Sequence, residues 1–147
     1  MIRIVLDTNV LVSAILSPRS KSAQIIRLVL EDALSLAISQ NLLDEVYRVV
    51  RYPKLVKLFK KHGIIPEEIT SIIERLSRIA VVTPGELNLD VIQEDPANNK
   101  ILACAIESEA DFIISGDRHL TDLKEYQGIA IVNPATFLAI VQSEEPE

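Results

Sequence analysis

Apolar positions along the chain alternate between two spacings, and each change of spacing marks a new element. Ile2-Arg3-Ile4-Val5-Leu6 is a short β-branched run that reads as a buried strand, ending abruptly at Asp7. A helix over residues 8–16 follows and is broken by Pro18. Ser20 or Ser22 caps the next helix, which carries Ile25, Ile26, Val29 and Leu30 at helical spacing. Residues 34–39 alternate as a second strand. Ser39 or Asn41 then starts a helix whose stripe is Leu42, Leu43, Val46, Val49 and Val50, with Asp44, Glu45 and Arg48 off it, ending at Tyr52-Pro53. Residues 54–61 form a short amphipathic helix stopped by Gly63, and Pro66-Glu67-Glu68 opens another that runs through Ile69, Ile72, Ile73 and Leu76. Residues 79–82 are a third strand, Pro84-Gly85 a turn, and residues 86–93 irregular or a short piece of helix or strand. Asp95-Pro96 opens a helix containing Ile101, Leu102, Ala105 and Ile106. Residues 112–114 and 129–132 are a fourth and fifth strand, and Asn133-Pro134 starts a last helix with Phe137, Leu138 and Val141.

Strands alternating with helices imply an α/β fold: a single-domain α/β/α sandwich around a mostly parallel five-stranded sheet. The domain spans residues 1–142, with 143–147 a frayed tail. A length of 147 residues suits one domain with a real core, and with 4% aromatics and no Trp that core must be aliphatic. No apolar run approaches the roughly 20 residues of a membrane span. The N-terminus lacks signal-peptide features, so the expectation is a cytoplasmic protein with no membrane partner. The single cysteine, Cys104, excludes an internal disulfide and a Cys-rich zinc site, and it reads as an inert buried thiol. A net charge of −6 argues against a simple basic nucleic-acid binder, although not against local basic patches or an enzyme that holds nucleic acid through metal.

Polar groups collect where strands end, and open α/β sheets hold their ligands outside the carboxyl ends of their strands. Asp7 follows the first strand, Glu45 lies on the helix after the second, Asp95, Asn98 and Asn99 open a later helix, and Asp117 follows the fourth strand. Each acid alone reads equally as a helix cap or surface charge. As a set without Cys or His partners they suit a hard cation such as Mg²⁺ or Mn²⁺, which can activate water and polarise a phosphoryl oxygen.

The same segments resemble the PIN-domain ribonucleases. Leu6-Asp7-Thr8-Asn9-Val10-Leu11 is similar to their opening, and Asp95 to Ala105 followed by Ala110 to Asp117 is similar to their second half. The resemblance covers about residues 2–138 and points to the VapC-like branch, the toxin components of toxin–antitoxin systems. It implies an acidic quartet that binds Mg²⁺ or Mn²⁺ and hydrolyses RNA, with Asp7 first, Glu45 second and Asp117 fourth. Thr8, Asn9 and Ser115 would be supporting residues. The third position falls on Asn98, an amide, so Asp95, three residues earlier, becomes a candidate substitute. The resemblance also implies an RNA substrate, a small antitoxin partner and a homodimer.

Arg48, Arg51, Lys54, Lys57 and Lys60 recur every third residue, with Lys61 and His62 after them and no acid between Glu45 and Glu67. They read as an RNA-guiding patch or as a solvated helix face, and Pro53 interrupts the repeat. Arg118 is a candidate phosphate contact. His119 reads as a surface histidine or a proton-transfer group, and Asp122 as the cap of a short helix or else a remote acid. Two other readings compete with an active nuclease. One is a PIN-fold RNA- or protein-binding module impaired by Asn98. The other is a phosphatase using Asp7 as nucleophile, which would want a second Asp where Asn9 stands. No Gly-rich loop follows the first strand, which argues against dinucleotide binding.

Overall fold

The computed structural model describes residues 1–93 and 95–144. Among the described residues six strands form one sheet in the order β3-β2-β1-β4-β6-β5. They are β1 (Arg3–Leu6), β2 (Ser35–Ser39), β3 (Val81–Thr83), β4 (Phe112–Ile114), β5 (Glu125–Tyr126) and β6 (Ile129–Val132). The first four and β6 run parallel, and β5 pairs antiparallel with β6. The helices are α1 (Thr8–Leu16), α2 (Lys21–Leu30), α3 (Gln40–Val49), α4 (Pro53–Lys61), α5 (Pro66–Ile79), α6 (Asn99–Glu107), α7 (Arg118–Thr121) and α8 (Pro134–Glu144).

Register and side-chain alternation sort the core into two layers. Ala37, Val5, Ile113 and Ile131 lie opposite one another across four strands. All four face a core with Ile101, Leu102, Cys104 and Ala105 of α6 and Leu120 of α7. One residue back along these strands, Leu36 and Ile4 point the other way, into a core built by α1, α2, α5 and α8. There Phe112 and Phe137 meet edge to face at 5.2 Å between ring centroids. Helices thus cover both faces, the α/β/α sandwich that parallel strands require. Helix α3 reaches both layers: Leu42 joins the α6 side, while Val46 and Val50 join the other. That path carries α3 past the sheet's edge and brings Glu45 with it.

The sheet has six strands rather than five. The extra strand, β5, is joined to β6 by the two-residue turn Gln127-Gly128, with φ of 50° and 82°. Such turns need positive φ at both central residues, for which Asn-Gly or Asp-Gly is the usual signal, so Gln-Gly hides this hairpin from the sequence. The third strand begins at Val81, because α5 continues to Ile79 along the period that buries Ile69, Ile73 and Leu76. The segment after Asp95 starts as a 3₁₀ turn over Pro96–Asn98 before α6 begins. Ser20 and Ser39 cap α2 and α3 by accepting from the Ala23 and Leu42 backbone N–H groups. The last helix runs on through Ser143 and Glu144, and residues 145–147 of the expected tail lie outside the described residues. Burial pushes the Cys104 thiol up to about 11, so it holds no thiolate at neutral pH.

Candidate metal centre

The chain leaves β1 toward β2 and β3 on one side, then crosses back to lay β4 on the other side of β1. The crevice at the carboxyl ends of β1 and β4 is therefore the point where strand order reverses, the default ligand position in an open α/β sheet. Asp7 follows β1 and Ser115 follows β4. The parallel ladder continues one residue past the strands, with the Asp7 N–H donating to the Ile114 carbonyl at 3.0 Å. A cleft of about 180 Å³ opens here, lined by Asp7, Thr8, Asn9, Glu45, Asp95 and Asn98, with Asp117 and the apolar side chains Val49, Ala97 and Ile101. A smaller, apolar crevice in the core touches this cleft only through Thr8 and is lined by no charged group.

Both strand-end acids cap the helix that follows them, so capping and a place in the cleft are not alternatives. The Asp7 Oδ1 atom accepts from the Asn9 N–H at 3.3 Å, and the Asp117 Oδ1 atom accepts from the His119 N–H at 2.8 Å. The other oxygen of each faces a polar partner. The fully buried Ser115 hydroxyl donates to Asp7 Oδ2 at 2.7 Å and accepts from the Asp117 N–H at 2.9 Å, which ties the two strand ends together. The Asn98 side-chain amide donates to Asp117 Oδ2 at 3.0 Å and to Asp95 Oδ2 at 3.4 Å. Asn98 is 5% exposed and Asp7 7% exposed. The Asn98 amide is the main reason that the Asp117 carboxyl lies below its ordinary range, with the His119 backbone N–H and imidazole adding to it. Asp117 therefore stays anionic at neutral pH.

Asp95, Asp117 and His119 each bring one donor atom to within 4.8 Å of the other two. Among the described residues no such group includes Asp7 or Glu45. Asp95 and Asp117 of this cluster line the cleft together with Asp7 and Glu45, and His119 stands outside the lining. Four carboxylates, an amide and an imidazole, with no thiol, fit a divalent cation of the Mg²⁺ or Mn²⁺ kind.

The remaining sequence candidates do not line the cleft. Arg48 is exposed one turn beyond Glu45 on α3, Lys54, Lys57 and Lys60 are exposed on α4, and Pro53 at the start of α4 divides the repeat between two helices. Arg51 instead lines a surface cleft with Glu67 and Glu74. Arg118 is exposed on α7 beside Asp117. Asp122 caps α7 as expected, at its C-terminal end, where its backbone N–H donates to the Arg118 and Leu120 carbonyls, while Asp117 is the N-cap. His119 is surface-exposed, as expected for a loop histidine, yet close to two acids.

Two further residues shape the site: Asn99, which the sequence groups with Asp95 and Asn98, and Glu107, which has no functional signature there. The Asn99 side chain accepts from the Val91 and Ile92 N–H groups and donates to the Ile92 carbonyl, so it clamps the irregular stretch before Asp95. The Glu107 carboxylate accepts from the Gly85, Glu86 and Leu87 N–H groups at 3.1–3.3 Å and anchors the other end of that stretch. These partners are separated by up to 22 positions, beyond the reach of local pattern reading.

Comparison with known proteins agrees with this geometry. The sequence model of one family, described as PIN domain, matches residues 3–119. The uncharacterized protein MJ1680 of Methanocaldococcus jannaschii is 30% identical over 124 residues, which is 84% of this chain and 76% of that protein.

Proposed function

The chain belongs to the PIN domain family, and on that premise we propose that it is a metal-dependent endoribonuclease that hydrolyses RNA phosphodiester bonds. PIN domains are a nuclease fold family and generally depend on divalent metal. The observation that carries the reading is the single cleft lined by Asp7, Glu45, Asp95, Asn98 and Asp117 at the strand-order reversal. These residues would hold Mg²⁺ or Mn²⁺. The bound cation supplies Lewis acidity toward a phosphoryl oxygen and toward water.

The chain's own residues do the rest. Ser115 ties the Asp7 carboxylate to the Asp117 backbone N–H. Asn9 and His119 backbone N–H groups hold one oxygen of each acid, and Thr8 and Asn9 line the cleft wall. Arg48, Lys54, Lys57 and Arg118 are exposed and would meet an RNA backbone, with Arg51 joining them from the turn before α4.

The toxin role, an antitoxin partner and a homodimer rest on the resemblance of the Asp7 and Asp95–Asp117 segments to the toxin branch. A cytoplasmic setting belongs to the same reading. Among the described residues no helix is long and apolar enough to cross a membrane.

The test is cleavage of a mixed RNA in Mn²⁺ by the wild type, Asp7→Asn and Asp117→Asn. Wild-type cleavage that falls at least about a hundredfold in both variants supports the reading; equal cleavage by all three sinks it. A second reading, an impaired RNA- or protein-binding module, draws on Asn98, which acts here as a donor to two acids rather than as a third acid. Mn²⁺ calorimetry beside the same assay separates the two: metal and RNA binding without cleavage favours the module.

A further inference from the structure

Resting on the nuclease reading, this inference concerns the atoms that would hold the cation. Asp117 turns its two oxygens to different neighbours. Oδ2 takes the Asn98 amide at 3.0 Å, while Oδ1 lies 3.5 Å from the His119 Nδ1 atom. Asp95 joins them, all three donors within 4.8 Å of one another. Ligand atoms around one ion at about 2.1 Å stand about 3–4 Å apart, so the present spacing closes onto an ion with a shift of about 1 Å or less. The His119 side chain is 49% exposed and is not packed into the core, so it has room to make that shift. Asn98, between the two acids, offers them a hydrogen-bond donor and adds no negative charge.

We infer that His119 is a nitrogen ligand for the cation, with Asp95 and Asp117, and that it compensates for the amide at Asn98. The consequence is selectivity. Mg²⁺ demands oxygen ligands and dehydrates reluctantly, whereas Mn²⁺, which shares its liking for carboxylates, is a first-row transition ion and accepts an imidazole nitrogen more readily than Mg²⁺ does. The chain therefore selects Mn²⁺ over Mg²⁺.

The experiment uses the full chain with Mn²⁺ as the probe. Loss of the free-ion electron paramagnetic resonance signal gives the affinity, Mg²⁺ competition gives the selectivity, and pulsed measurements detect an imidazole ¹⁴N nucleus coupled to bound Mn²⁺. The wild type should show that coupling and prefer Mn²⁺ by about tenfold or more. His119→Ala should lose the coupling, weaken Mn²⁺ binding about tenfold or more, and change Mg²⁺ binding less than about threefold. His119→Asp, with an oxygen donor in its place, should narrow the Mn²⁺ preference. Two results overturn the inference while leaving the nuclease reading intact. One is absent ¹⁴N coupling in a wild type whose Mn²⁺ binding is abolished by Asp117→Asn. The other is coupling that persists in His119→Ala. A wild type that binds no Mn²⁺ overturns both.

Discussion

Asn98→Asp isolates the electrostatic logic of the cleft. The Asn98 amide donates to two carboxylates, at 3.0 Å to Asp117 and 3.4 Å to Asp95. Losing such a charge-assisted hydrogen bond costs about 1.5–3 kcal/mol. A carboxylate in its place would stand 3.0 Å from Asp117, and two unit charges that close repel by about 5 kcal/mol at an effective dielectric of about 20. That is a ceiling. The cluster can take up a proton at about 1.4 kcal/mol per pH unit, and a quarter of the Asp117 side chain faces water, which screens it. Without metal, Asn98→Asp should be less stable than wild type by about 2–4 kcal/mol, and Asn98→Ala, which adds no charge, by about 1–2 kcal/mol. For a chain this long the first figure is a fall of about 6–12 °C in melting temperature. Saturating Mn²⁺ should restore most of it, because an ion that binds only the folded state adds stability by mass action. The assay is thermal unfolding by circular dichroism in EDTA and in excess Mn²⁺. Asn98→Asp melting within about 2 °C of wild type in EDTA would refute the view that the amide relieves repulsion between Asp95 and Asp117.

The Asp117 carboxyl lies below its ordinary range when folded, so its contribution to stability is complete above the ordinary value of about 3.9 and is lost as pH falls through the folded one. Asn98→Ala removes the largest cause, so its stability should fall less steeply with acid below about pH 4; an unchanged acid limb counts against that assignment. Gly85 has φ of 75°, and a Cβ there would run into the Asn41 side-chain oxygen, so Gly85→Ala should cost about 2 kcal/mol in denaturant unfolding. Glu107→Ala should cost about 1–3 kcal/mol and abolish hydrogen-exchange protection of the Gly85, Glu86 and Leu87 amides; retained protection would mean that another group holds the loop. Replacing Lys54, Lys57 and Lys60 by Gln should weaken RNA binding and reduce its log–log salt slope by about 2, and an unchanged slope would leave these lysines as solvated surface.

Much of this molecule is written locally. The strand-to-helix alternation, the caps at Ser20 and Ser39, and the aliphatic faces of α2, α3 and α5 follow from spacing of two or 3.6 residues and from short-range hydrogen bonding. So does the arrival of Asp7 and Asp117 at strand ends, each as the N-cap of a helix. Local signals also misled where they were weak. The β-branched Ile79 looked like the start of a strand but is the exposed last residue of α5, and Gln127-Gly128 concealed a hairpin.

Tertiary structure alone decided which polar groups share a cleft. The crossover from β3 back to β4 makes β1 and β4 neighbours, and only then can Ser115 bridge acids 110 positions apart in the chain. The path of α3 across both core layers brings Glu45 to that edge, and the clamps of Asn99 and Glu107 fix the stretch leading to Asp95. The same packing turned Asn98 into a donor between two acids, set His119 beside them, and drew Arg51 toward Glu67 and Glu74. Periodicity reports which face of an element is buried. It carries no information about which distant element meets that face, because that is settled by loop closure and by packing across the whole core.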